Sequence, residues 1–165
     1  ENIFHDFYDF IQKYKLYNFD IIYGKVSNNK KLVGCEITNF KKALTKNMCI
    51  CHQATFHNKG LFEKYKKFNE SFLIAGDYEF LIKVSKSPGL KIKFFKRVIT
   101  EMGQKGKSSK KINGLKSAIE AYRARKMHKL KVLNIYWVKH FFAGIFYFLL
   151  ATIKFKLKSL IKYKN

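Results

Sequence analysis

Arginine is nearly absent from this chain. Of 34 basic residues among 165, only Arg97, Arg123 and Arg125 are arginines. Proteins that read bases or grip phosphates lean on the planar guanidinium fork, so specific nucleic-acid binding is not expected. Acid is scarce too, at 11 residues for a net charge of +23. Lysine, Phe, Ile, Asn and Tyr are abundant together, so a biased genome composition accounts for part of the lysine. It does not account for where the acid stops. The last acidic residue is Glu120, and from Ala121 to Asn165 there are eleven Lys or Arg and no Asp or Glu. A tail of one sign attracts polyanions such as an anionic lipid surface.

Cysteine is limited to Cys35, Cys49 and Cys51, an odd number with no secretory signal in front. That pattern fits a reduced, cytosolic setting. Cys49-Ile50-Cys51-His52 lacks a second ligand pair at zinc spacing, so the cysteines are expected to be buried and inert. Internal repeats are absent. Residue 1 is glutamate rather than methionine and no targeting segment precedes it, so a fragment or processed product is expected.

What is present suffices for one domain with a real core, since 47% of the residues are hydrophobic. Ile3, Phe4, Phe7, Phe10, Ile11 and Tyr14 recur at helical spacing over residues 2–16. Asp20 to Val26 reads as a strand closed by a Ser27-Asn28-Asn29 turn, with Lys31 to Ile37 as its hairpin partner. A short helical stretch at Phe40 to Leu44, a strand at Gln53 to Phe56 and a helix at Lys59 to Lys66 follow. A helix over Ala75 to Ser85 ends before Ser87-Pro88-Gly89, which holds the only proline. Strands are predicted at Leu90 to Phe95 and Arg97 to Met102, a Gly/Lys/Ser loop at Gly103 to Lys111, and a long helix at Gly114 to Val132. Strands alternating with helices imply an α/β layered domain.

The helix near Ala75 carries the most informative carboxylate. Asp77, Leu81 and Val84 share one face, and Leu81 and Val84 belong to the core. Asp77 then sits at the N-terminal end of that face, while Glu79 lies roughly 200° around the axis and points elsewhere. This argues against reading the two acids as a metal-binding pair. Two roles stay open for Asp77: capping the helix and offsetting its dipole, or serving as a site carboxylate.

His52-Gln53-Ala54-Thr55-Phe56, then Gly60-Leu61-Phe62, Phe68-Asn69-Glu70 and Asp77-Tyr78-Glu79-Phe80-Leu81-Ile82-Lys83, resembles the second half of a family 2 glycosyltransferase domain of the bacterial surface-polysaccharide type. Asp20-Ile21-Ile22-Tyr23-Gly24 matches the strand those enzymes carry just after their metal-binding motif, and the likeness covers about residues 2–125. The resemblance implies a partial GT-A fold, a Rossmann-like nucleotide-diphospho-sugar transferase domain, over residues 1–125. Residues 126–165 follow as a basic, aromatic helical tail. It implies an inverting reaction from a nucleotide-sugar donor to a glycan or lipid-linked acceptor. Asp77 lies where the family places its catalytic base, and His52 and Gln53 match a His-Gln pair that shapes the acceptor side; a capped strand start is the plainer role for that pair.

Gly106 and Ser108, within Gly103-Gln104-Lys105-Gly106-Lys107-Ser108, correspond to a Gly-Gly-x-Ser segment in relatives and are assigned to substrate binding. A plain solvated loop is the alternative. The loop imitates a P-loop but has two residues between its glycines where four are needed. The Asp-x-Asp that holds a divalent metal (Mg or Mn) in the complete enzyme has no counterpart here, and Asp6 and Asp9, one helical turn apart, do not reproduce it. Without that donor half, the fragment alone is expected to be inactive. The Gln-x-x-Arg-Trp signature of processive synthases is missing as well, which favours single additions.

Phe141 to Ile153 is an uncharged, mostly apolar run of thirteen residues. At 1.5 Å per residue it reaches roughly 20 Å, short of the ~30 Å hydrocarbon core. Tyr136, Trp137, Phe141, Phe142, Phe146, Tyr147 and Phe148, followed by Lys154, Lys156, Lys158, Lys162 and Lys164, suit a helix lying in the interface. A spanning helix and packing against a missing half are the alternatives. The expected location is therefore cytoplasmic, peripheral at the inner face of the cell membrane. Beside the transferase stand a non-catalytic membrane-associated module and, further off, a nonspecific polyanion binder.

Overall fold

The computed structural model describes residues 2–103, 113–131 and 135–162. Among them the fold is mixed α/β, with six helices and an open four-stranded sheet. The chain forms two compact units, Glu1–Asn69 with Phe80–Gly103, and Glu70–Glu79 with Gln104–Asn165. That division follows packing, whereas the boundary expected near residue 125 follows composition.

The first unit is built around β1 (Ile21–Asn28). Its first four residues and Val26 are buried, so the strand is covered on both faces. It pairs in parallel with β4 (Ile92–Glu101) on one side. On the other side β3 (Thr55–His57) and β2 (Lys31–Val33) pair with it antiparallel at opposite ends. Gly24 is required where β1 meets β4: a Cβ there would lie 2.5 Å from Ile99 Cδ1 and 3.0 Å from the Arg97 carbonyl. Asp20 ties the strand starts together, its carboxylate accepting the Lys91 N–H at 2.8 Å and its carbonyl the Asn58 N–H at 2.8 Å.

Two expectations about this sheet need correction. The hairpin turns at Asn29-Lys30, where both φ values are positive (48° and 63°), as a two-residue turn requires. The partner strand then stops at Val33, because Gly34 at φ +115° leaves the extended region. Where two strands were expected between Leu90 and Met102 there is one, Ile92–Glu101. The charged interruption at Lys96-Arg97 is absorbed as register shifts against Gly24, Lys25 and Val26, so the strand bulges instead of ending.

Helix α1 (Ile3–Tyr14) starts on Asn2, whose side chain accepts the Phe4 N–H, and stops at Lys15 in the left-handed region. Ile3, Phe7, Phe10 and Ile11 pack on Leu16, Ile22 and Phe95. Phe7 stacks on Phe56 at 4.3 Å and meets Phe95 edge-on at 5.5 Å. Short helices α2 (Phe40–Leu44) and α3 (Lys59–Tyr65) each begin on an asparagine that caps a backbone N–H, Asn39 and Asn58.

The second unit contains α5 (Gly114–Met127) and α6 (Ile135–Lys162). Helix α5 ends at Met127, with His128 as its C-cap, rather than at Val132. The two helices approach closely at Gly144, where a Cβ would stand 2.8 Å from the Leu115 nitrogen. Among the described residues, no helix is long and apolar enough to cross a membrane.

Candidate functional site

Helix α4 (Gly76–Val84) carries Asp77 in its first turn and is buried all round, at Tyr78, Glu79, Phe80 and Ile82 as well as at Leu81 and Val84, rather than on one face. Asp77 is half-buried, and its Oδ1 accepts the Tyr78 N–H at 2.7 Å. Among the described residues, that bond is its only polar contact. That local bond engages one carboxylate oxygen, and Oδ2 has no hydrogen-bond partner among the described residues.

The segment around Asp77 is held by α5, within the second unit. Glu120 Oε2 accepts the N–H groups of Ile74 and Ala75 at 2.8 and 2.9 Å, and Oε1 accepts that of Leu73 at 3.2 Å. These donors precede α4, so a carboxylate from another helix anchors its start. Arg123 donates to the Ser71 carbonyl and hydroxyl at 3.3 and 2.5 Å, and covers the Phe72 ring at 4.5 Å. Buried Arg125 donates to the Tyr78 hydroxyl at 3.0 Å and to the Lys131 carbonyl. His128 Nε2 lies 2.6 Å from Oε1 of buried Glu79. Glu79 thus turns away to a partner of its own, and the Asp77 backbone is fixed on both sides.

Sequence reasoning did not find Glu120, Arg123, Arg125 or His128. The available signal was a glutamate and an arginine interleaved with Ala118 and Ala124, small residues on the buried face of α5. Polar groups at such positions are kept only when partnered.

His52 and Gln53 lie in the first unit, on a 3₁₀ turn (His52–Ala54) that precedes β3, so the strand begins at Thr55 rather than at Gln53 as expected. The two side chains have different surroundings. The His52 ring lies 5.8 Å from His57 and 5.5 Å from Phe68, at the border of a cluster completed by Phe62 and Phe80. Gln53 is exposed and borders an apolar pocket of about 270 Å³ lined by Ile3, Phe7, Phe56, Phe95 and Ile99. Gly106 and Ser108 fall outside the described residues.

His57 is a feature the sequence did not single out. Both of its ring nitrogens are buried, with no hydrogen-bond partner among the described residues. Burial, with a smaller push from His52, lowers its pKa from 6.5 to about 4. The folded state therefore resists the proton that the unfolded chain takes up. Stability is full above pH 6.5 and falls as pH drops toward 4. The loss is expected to reach about 2 kcal/mol once partial exposure is discounted. Urea midpoints at pH 7 and pH 5 check this, and His57→Phe should flatten the difference.

The cysteines are not uniformly buried as expected, since Cys35 is exposed. Burial pushes the Cys49 thiol up to about 12 and raises that of Cys51, which makes both poor nucleophiles at neutral pH. Among the described residues, no group of three or more His, Cys, Asp or Glu could hold a metal ion.

No protein-family profile, curated protein or solved structure matches the chain.

Proposed function

We propose that this chain supplies the acceptor side of an inverting, non-processive glycosyltransferase site of GT-A type, with Asp77 as the base. What carries the reading is the state of that carboxylate: one oxygen engaged by the Tyr78 N–H, the other open, on a segment fixed by Glu120, Arg123, Arg125 and His128. A base needs this combination of open oxygen and fixed backbone.

In the reaction, an acceptor hydroxyl oxygen attacks the anomeric carbon of a nucleotide-diphosphate sugar. The new C–O bond forms as the bond to the diphosphate breaks, with inversion. The hydroxyl proton passes to Asp77 Oδ2, and the nucleoside diphosphate leaves. His52 and Gln53 are assigned to the acceptor side, and Gly106 and Ser108 to the substrate loop. The described residues do not fit a metal site, and the sequence has no Asp-x-Asp. The divalent ion (Mg or Mn) and its ligands are therefore assigned to the donor-binding half, and no step is derived through it. A glycan or lipid-linked acceptor at the inner membrane face suits the basic tail.

Assay of the protein with its donor-binding half tests this. Nucleoside diphosphate release from a panel of nucleotide-sugars, with Mg²⁺ or Mn²⁺ and extracted membrane glycolipid as acceptor, is expected to be acceptor-dependent and lost on chelation. Absence of release from every donor, with vesicle binding intact, would instead favour the second reading, a non-catalytic membrane-associated module. That reading draws on the exposed apolar surface of α6.

A further inference from the structure

We infer that α6 docks in the interface of an anionic bilayer through one stripe, Phe142, Phe146, Leu149 and Ile153. This deepens the membrane part of the proposed function and does not depend on its chemistry. The four side chains are 64, 59, 54 and 54% exposed, an unusual amount of solvent contact for large apolar residues in series. At 100° per residue they fall within an arc of about 60°. Gly144 is roughly opposite that arc, and it is buried where its backbone meets Gly114 and Leu115 of α5. The helix thus meets α5 at Gly144 and is most exposed along the outer stripe, while Tyr147, Phe148 and Leu150 away from it are exposed less, at 38, 45 and 37%.

Charge selects the occupant. No acid follows Glu120, and Lys139 is exposed a turn before the stripe. A second copy meeting this face would bring two acid-free basic tails together, whereas an anionic headgroup layer neutralises them. Length selects the orientation. From Phe142 to Ile153 the stripe runs about 16 Å, too little to cross ~30 Å of hydrocarbon and suited to lying along its boundary. Phenylalanines at that depth are typical of helices that lie in the interface.

Flotation of the full chain with phosphatidylcholine vesicles, with and without phosphatidylglycerol, tests the inference at low and high salt. Binding is expected to need the anionic lipid, to weaken with salt, and to drop at least ~10-fold in Phe146→Ser/Leu149→Ser. Leu32→Ser, an exposed change on the β2 hairpin, should leave it unchanged. A Trp137→Phe/Phe146→Trp variant should show a fluorescence blue shift with anionic vesicles only. Binding equal for both vesicles, or to neither, or unaltered by the double serine change would overturn the inference. So would a vesicle-free dimer that the double change dissociates. Loss of vesicle binding with diphosphate release intact would sink the docking alone and spare the transferase.

Discussion

Glu120→Ala is expected to lower stability by about 2 kcal/mol, because it removes the acceptor of three backbone donors, one buried and two part-buried. For a chain of this size that corresponds to a fall of about 6 °C in Tm. The Leu73, Ile74 and Ala75 N–H groups have no helical acceptor, since they precede α4, and Glu120 is buried against them. Burial pulls the Glu120 pKa up, but the three N–H donors outweigh it and hold the group below its usual 4.5. A carboxylate whose pKa is lower folded than unfolded stabilises fully above the unfolded value. Its contribution is lost as pH falls below 4.5 and through the folded value. Acid should therefore loosen the wild type, while Glu120→Ala should lose this part of the pH dependence. Chemical denaturation from pH 3 to 7 reads both effects, and a loss under about 1 kcal/mol would mean that solvent already reaches those donors.

The elements that were legible in the sequence are those with local causes. Apolar periodicity marked α1, and Ser87-Pro88-Gly89 marked the end of α4, which stops at Val84. The alternation of strand and helix correctly implied a mixed α/β fold. Register was not legible. Nothing near Lys96-Arg97 announces that β4 continues through it, because the continuation is set by pairing with β1, some seventy residues earlier. The hairpin is shortened at Gly34, whose φ is +115° and where an added Cβ would lie 3.1 Å from the Gly24 carbonyl, a contact ten residues away that local spacing does not announce.

The site divides along the same line. Asp77 could be placed in the first turn of its helix from the sequence, but not on a distinct face, because α4 is buried all round. Its supports could not, since Glu120 meets Ala75 across 45 residues and His128 meets Glu79 across 49. In the sequence Glu120 stood out only as the last acid. In the fold it is the residue that anchors the start of α4. The two acids Asp77 and Glu79 were expected to diverge, and they do: one retains an open oxygen and the other is buried against His128.

Asp77→Asn is the most direct test of the central claim that this carboxylate performs the chemistry. The amide keeps a carbonyl oxygen for the Tyr78 N–H, so the cap and the fold should survive. It cannot take a proton from an acceptor hydroxyl at neutral pH. Loss of a positioned general base costs about 10²–10⁴ in rate. Asp77→Glu retains the proton acceptor but moves it by one methylene, so partial activity is expected. The measurement is the rate of sugar transfer by the complete transferase proposed above, with donor affinity and Tm recorded on the same samples. Transfer reduced at least ~100-fold at unchanged donor affinity and Tm is the expected result. Transfer within a few-fold of wild type would contradict it and leave Asp77 as a helix cap.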